Sequence, residues 1–179
     1  MQRNSKSAQP ADDRPIILIG MMGAGKSTVG RRLAARLGMS FVDADDEIAT
    51  AAGMTIPEIF ARFGEQAFRD GERRVIARLI EEGPRVIATG GGAFMNEETR
   101  RLILEQAIAV WLDADLDVLV ERVSRREGRP LLDGKDPRSV LTELARVRNP
   151  VYALAPYRVM SGQGPHEHTV EKIVEALSL

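Results

Sequence analysis

The sequence predicts an α/β fold in which helices cover both faces of a parallel sheet. Short apolar runs alternate with segments whose apolar residues recur at helical spacing along the 179 residues. A glycine-rich loop joins the first run to the first helical segment. Strands that alternate with helices form right-handed βαβ units, so their strands lie parallel in one sheet. The length suits a single domain with its own hydrophobic core.

Five segments are predicted strands because each is short and largely apolar. They are residues 15–19, 40–42, 86–88, 107–112 and 158–160. Helices are predicted from apolar spacing and from start and stop signals, such as the Thr55 and Glu58 capping box. They are residues 27–37, 55–63, 65–82, 96–106, 116–125, 138–153 and 169–177. The polar, glycine-containing stretch at 125–137 interrupts this pattern and is predicted to be a mobile lid.

Composition excludes several classes of protein. The chain has no cysteine, which rules out disulfides and thiolate metal sites. No apolar run approaches the roughly 20 residues of a membrane span, and residues 1–14 lack a signal-peptide core. The net charge of −1 argues against a general nucleic-acid binder. We expect a cytoplasmic monomer without nucleic-acid or membrane partners, with a disordered tail at 1–14 and one domain at 15–179.

Residues 20–27, Gly-Met-Met-Gly-Ala-Gly-Lys-Ser, fit the phosphate-loop pattern G-x-x-x-x-G-K-[ST] without a mismatch. Backbone N–H groups and the next helix N-terminus would cradle phosphate oxygens. Lys26 supplies a charge for the β- and γ-phosphates, and the Ser27 hydroxyl is the expected Mg²⁺ ligand. The alternative is a chance glycine-rich turn, which the strand-to-helix context disfavours. The motif is shared by kinases, hydrolases and nucleotide-driven switches.

Asp43 and Asp45 follow the second predicted strand. Residues two apart on a strand face the same way, and ligands of parallel sheets bind beyond the strands' carboxyl ends. One carboxylate could help to hold Mg²⁺, and the other could accept a proton from an acceptor hydroxyl. The alternative is that Asp45 or Asp46 caps a following helix.

Gly90, Gly91 and Gly92 follow the third predicted strand and would face the same crevice. Three glycines allow the backbone to approach a ligand closely, whereas a tight turn needs only one. Arg129 lies in the predicted lid, where its charge could reach the phosphates. Arg69 and Arg148 suit a bidentate grip on a carboxylate, although base rates for a single arginine favour a surface residue in each case. His166 and His168 are interpreted as surface residues of a polar loop.

The ordered set of motifs resembles the shikimate kinases, a family of nucleoside-monophosphate-kinase-like P-loop proteins. The likeness runs from about residue 16 to residue 177. The shared segments are 20–30, 43–45, 68–69 with Glu72, 90–92, 129–132 and 148–152. The resemblance implies a three-layer α/β/α fold with a five-stranded parallel sheet, P-loop NTPase architecture and a mobile lid.

The resemblance also implies ATP-dependent phosphorylation of the 3-hydroxyl of shikimate, a step toward chorismate and the aromatic amino acids, with Mg²⁺ as cofactor. By the same resemblance, Asp45 contacts the substrate hydroxyls and is the base, Asp43 lies near Mg²⁺, Glu72 orients Arg69, and Arg129 reaches ATP. The implied ATP site comprises Gly23, Ala24, Gly25, Lys26, Ser27, Thr28 and Arg129. The implied shikimate site comprises Asp45, Arg69, Gly90, Gly91, Gly92 and Arg148. The predicted catalytic residues are Asp45, Lys26 and Arg129.

Two other functions remain open at this level. The first is another small-metabolite P-loop kinase, such as a gluconate kinase, which does not require the triple glycine together with both arginines. The second is a nucleotide-dependent switch without kinase turnover, against which the paired aspartates and the two arginines argue.

Overall fold

The structure is a computed structural model that describes residues 12–125, 132 and 134–179. In this part of the chain, five strands form a single sheet. They are β1 (Ile16–Ile19), β2 (Phe41–Asp43), β3 (Val86–Ala88), β4 (Ile108–Asp113) and β5 (Tyr157–Met160). The strand order is β2-β3-β1-β4-β5, and every pairing is parallel. The predicted three-layer α/β/α fold is therefore confirmed.

Seven α-helices connect and follow the described strands. They are α1 (Lys26–Leu37), α2 (Ala44–Ala52), α3 (Ile56–Glu81), α4 (Glu97–Gln106), α5 (Leu116–Ser124), α6 (Pro137–Tyr152) and α7 (His166–Ala176). The capping box at the start of α3 is formed, with the Thr55 hydroxyl accepting from the Glu58 N–H and the Glu58 carboxylate accepting from the Thr55 N–H. None of the described helices combines the length and the apolar character needed to cross a membrane.

Helix α2 differs from the sequence prediction, which assigned no helix between residues 43 and 54. Helix α2 follows β2 without a connecting loop. The sequence analysis therefore interpreted both Asp43 and Asp45 as belonging to the end of the strand. The two helices predicted around residues 55–82, which the label α3 covers together, are present and meet at Gly64, whose backbone is non-helical. Its φ of 82° and ψ of 173° interrupt the helix where the sequence analysis placed the break.

The position of β1 determines the location of the site. All four residues of β1 are fully buried, because neighbouring strands flank it and helices cover it. The carboxyl ends of β2 and β3 lie on one side of the β1 end, and those of β4 and β5 lie on the other. Loops from all five strands therefore meet along one edge of the sheet, where ligands of such folds bind.

Candidate active site

The loop between β1 and α1 has the closed form that its sequence predicts. The Lys26 ammonium group is buried and donates hydrogen bonds to the carbonyl oxygens of Gly20 and Met21, at 2.7 and 2.9 Å. Gly23 and Gly25 have φ values of 83° and 93°, in the left-handed region that favours glycine. The lysine and the two left-handed glycines fix a concave loop at the N-terminus of α1, which is suited to binding an anion.

Ser27 and Asp43 join the phosphate loop to the end of β2. The Ser27 hydroxyl donates to Asp43 Oδ2 at 2.7 Å. The other oxygen, Oδ1, accepts from the N–H groups of Asp45 and Asp46, at 3.0 and 3.4 Å, and so caps α2. The capping alternative was therefore assigned to the wrong residue, because Asp43 is the cap.

Asp45 lies in the first turn of α2 and not on a strand, which corrects the argument from strand alternation. The aspartate still faces the site, because an ideal Cβ built on Gly90 would lie 2.9 Å from Asp45 Oδ1. Burial raises the pKa of the Asp45 carboxyl above its ordinary value, and the charge of Asp43 raises it further. Lys26 and Arg69 act in the opposite direction but do not reverse the shift.

The buried carboxylate of Glu72 holds the Arg69 side chain beside the site. Its Nη1 donates to Glu72 Oε1 at 2.8 Å, one turn further along α3. The Glu72 side chain is 1% exposed and the Arg69 side chain is 19% exposed. Burial raises the pKa of the Glu72 carboxyl, whereas the guanidinium of Arg69 lowers it. Removing one partner of a buried pair leaves the other uncompensated, so the pair fixes the position of the guanidinium.

Arg148 and Tyr152 lie one turn apart on α6 and approach the triple glycine from the other side. The Tyr152 hydroxyl donates to the carbonyl oxygen of Gly91 at 2.5 Å. Tyr152 is fully buried and packs against Trp111, with ring centroids 5.9 Å apart. Burial raises the pKa of the Tyr152 hydroxyl to about 12, although neighbouring Arg148 acts to lower it. The phenol is therefore a neutral donor to Gly91 across the physiological pH range.

The phosphate loop, Asp43, Asp45, Gly90 and Gly91 line one cavity of about 810 Å³ along the carboxyl edge of the sheet. Arg69 and Arg148 lie beside the triple glycine but outside this lining. Phosphate-loop residues line its centre, Asp45 and Gly90 lie at one end, and Arg122 and His166 lie at the other. The volume falls within the roughly 300–1,000 Å³ of small-ligand sites. Of the predicted residues, Arg129 lies outside the residues that the structure describes.

Two residues at the far end were missed by the sequence analysis. Arg122 donates to the carbonyl oxygens of Gly23 and Gly162, at 3.0 and 2.6 Å. His166 begins α7 rather than lying in a polar loop, and its half-buried ring lies beside Gly25. Burial, with Arg122 next in effect, lowers the pKa of His166. Neither residue has a local sequence signature, because only the fold brings α5 and α7 to the phosphate loop.

The parallel α/β fold and the phosphate loop define the chain as a P-loop nucleotide-binding protein. A family model described as shikimate kinase matches residues 22–178. The chain is 58% identical to a shikimate kinase of Caulobacter vibrioides over 97% of this chain and 86% of that protein. It is also 58% identical to one of Zymomonas mobilis, over 92% of this chain and 93% of that protein.

A solved shikimate kinase from Acinetobacter baumannii, in complex with shikimate, superimposes with a TM-score of 0.85 and 39% identity. The match covers 90% of this chain and 91% of that one. The chain belongs to the shikimate kinase family.

Replacing Asp45 by asparagine should stabilise the protein at neutral pH. The raised native pKa means that the folded state holds this proton more tightly than the unfolded chain, so ionisation lowers the free energy of unfolding. The penalty is fully present above the raised native pKa and disappears as the pH falls toward the ordinary value of 3.8. Urea unfolding of Asp45→Asn and wild type at pH 7 and at lower pH measures the difference.

Asp46→Asn is the matched control, because Asp46 lies in the same helical turn but is exposed. This variant measures how much the free energy of unfolding falls when a carboxylate near a helix N-terminus is lost, a change that is mildly unfavourable by itself. Equal stability changes in the two variants at pH 7 would contradict the assigned burial of Asp45.

Replacing Tyr152 by phenylalanine should lower the free energy of unfolding by about 1–3 kcal/mol, the usual cost of leaving a buried hydrogen-bond partner unsatisfied. Tyr157→Phe is the control, since the Tyr157 hydroxyl makes no hydrogen bond to another described residue. Urea unfolding compares the two. A Tyr152→Phe protein as stable as Tyr157→Phe would mean that the contact with Gly91 contributes nothing to the fold.

Proposed function

We propose that this protein transfers the γ-phosphoryl group of ATP to the 3-hydroxyl of shikimate, giving shikimate 3-phosphate and ADP. The observation that carries the proposal is the arrangement beside the phosphate loop. Asp45, Arg69 and Arg148 come from three different helices and meet at the triple glycine. An acid-base group that lines the cavity and two cations therefore lie beside the same loop. The family membership and the shikimate complex of the Acinetobacter relative support the same acceptor.

The two arginines explain selection of a carboxylate-bearing acceptor. A guanidinium presents a planar fork of donors that pairs with both oxygens of a carboxylate. Arg69 reaches the site from α3 and Arg148 from α6, so a carboxylate held between them would have a fixed orientation. Binding at a point remote from the reacting hydroxyl positions that hydroxyl for transfer.

Asp45 would orient the acceptor hydroxyl and accept its proton. Its raised pKa makes the carboxylate a better proton acceptor than an exposed aspartate. The phosphoryl group would then pass directly from ATP to the hydroxyl oxygen, with ADP as the leaving group. Such a transfer needs no covalent enzyme intermediate.

The phosphate loop provides donors for the transferring group. Lys26 would move from the loop carbonyls to the β- and γ-phosphates, which are stronger partners for an ammonium ion. The Ser27 hydroxyl and the Asp43 carboxylate are adjacent oxygen donors, the type that Mg²⁺ prefers. These two residues would hold Mg²⁺, which when bound neutralises phosphate charge.

The remaining predictions belong to the same proposal. Residues 125–137 would form a lid over the nucleotide, with Arg129 contributing a cation to the phosphates and closure excluding water. Residues 15–179 would form the single domain, preceded by the tail at 1–14. The protein would act as a cytoplasmic monomer without nucleic-acid partners, in agreement with its near-neutral charge.

The direct experiment measures ADP release from Mg·ATP in a coupled assay, with shikimate, with gluconate, with a nucleoside monophosphate and with no acceptor. The proposal expects strong stimulation by shikimate alone. Stimulation by gluconate would favour the sugar-acid kinase instead. ATP binding without stimulation by any acceptor would favour the nucleotide switch.

Replacing Lys26 by alanine should abolish shikimate-dependent ADP release while the fold survives, because the developing phosphoryl charge loses its positioned cation. Lys172→Ala is the matched control, since Lys172 is exposed on α7. Circular dichroism and thermal melting establish that both variants are folded. Near-normal activity in folded Lys26→Ala would overturn the role assigned to the phosphate loop.

A further inference from the structure

The backbone at the triple glycine does not itself require glycine. Among the described glycines, Gly23 and Gly25 have positive φ values, whereas none of Gly90, Gly91 and Gly92 does. The φ of Gly92, for example, is −92°, which any residue adopts. A different constraint must therefore account for three consecutive glycines at this point.

Space for side chains is that constraint. An ideal Cβ at Gly90 would lie 2.9 and 3.3 Å from the two carboxylate oxygens of Asp45. A Cβ at Gly91 would lie 2.8 Å from Nη1 of Arg148. Real Cβ atoms essentially never approach other heavy atoms below 3.0 Å. An added methyl group at either position would therefore displace the neighbouring charged group.

Gly92 has the same relation to Arg69. A Cβ there would lie 2.9 Å from both Cζ and Nη1 of Arg69, and Nη2 would also be in contact. The three glycines thus match three different side chains, one for one. The proposed function assigns binding of the acceptor to these same three side chains.

The backbone of the triple glycine is held by a hydrogen bond at each of its three carbonyl groups. The Tyr152 hydroxyl fixes the Gly91 carbonyl, and the carbonyls of Gly90 and Gly92 accept from Ala93 and Met95 at 3.2 and 3.1 Å. The atoms that the new methyl groups would meet are, in contrast, the far ends of side chains. Strain from an alanine is therefore relieved by moving the carboxylate or guanidinium, and the fold is retained.

We propose that Gly90, Gly91 and Gly92 are positioning residues, each leaving the space in which one acceptor-binding group rests: Asp45, Arg148 and Arg69 respectively. The proposal rests on the proposed function for the role of these groups. It goes beyond the expectation that the glycines serve only backbone contact with a ligand. Each glycine consequently has its own kinetic signature.

Gly90→Ala should lower kcat, because it moves the proposed base, and should change the KM for shikimate less. Gly91→Ala and Gly92→Ala should raise the KM for shikimate, because each moves one guanidinium from the carboxylate. Loss of a hydrogen bond to a charged group corresponds to roughly 10-fold or more in affinity. The dissociation constant for ADP, measured by calorimetry without acceptor, should stay unchanged in all three.

A neutral acceptor separates positioning from general damage to the site. Shikimate and its methyl ester are compared by kcat/KM in each protein. The wild type should favour the carboxylate strongly. That preference should fall by roughly 10-fold or more in Gly91→Ala and Gly92→Ala, which displace an arginine, and should persist in Gly90→Ala.

Gly71→Ala is the matched control, because Gly71 lies in α3 close to Arg69 and an added Cβ there meets nothing within 4 Å. It should leave the kinetics unchanged and raise the melting temperature slightly. Equal kinetic losses in the three site variants, unchanged kinetics in all of them, or loss of the fold would each overturn the proposal.

Crystal structures of the three variants without ligands test the positioning role of the glycines independently of the proposed function. Displacement of the matching carboxylate or guanidinium, with the sheet unmoved, supports positioning whatever the acceptor is. Unmoved side chains with a shifted loop would refute it. Failure of shikimate to stimulate the wild type would reject the proposed function alone.

Discussion

Parallel pairing of β1 with both β3 and β4 is the constraint on which the rest of this molecule depends. Pairing on both sides buries β1 completely and brings its carboxyl end, with the phosphate loop, to the middle of the sheet edge. Parallel strands all end at this edge. The loops after β2 and β3 therefore lie on one side of the phosphate loop, and those after β4 and β5 lie on the other. One arrangement of strands thus separates the proposed acceptor side from the proposed nucleotide side.

The acceptor side concentrates charges that would be unstable without partners. Glu72 is buried beside Arg69, Asp45 lies near Asp43, and the Tyr152 phenol holds the loop between them and Arg148. Burial raises the pKa of both Asp45 and Glu72. Ionisation of these two carboxyl groups therefore lowers the free energy of unfolding. Sites assembled in this way are typically less stable than inert replacements but preorganised for chemistry.

Local signals in the sequence were sufficient for most of the fold and for the phosphate loop. Apolar runs, the capping box and the break at Gly64 each depend on neighbouring residues, and the structure agrees with all three. Helix α2 was missed because β2 runs directly into it, which placed Asp45 on the wrong element. Arg122 and His166 could not be found because their contacts with the phosphate loop span about a hundred residues or more of chain. The assignment of Arg69 and Arg148 to one acceptor site came from the family resemblance, since neither arginine is distinctive alone.

The proposed function places a carboxylate-bearing acceptor on the β2–β3 side of the phosphate loop. A crystal structure with ADP and shikimate tests it most directly. We predict that the shikimate carboxylate lies between Arg69 and Arg148, with its 3-hydroxyl within hydrogen-bond distance of Asp45 and the ADP phosphates on the loop around Lys26. Shikimate bound on the β4–β5 side, or bound with its carboxylate away from both arginines, would contradict the account.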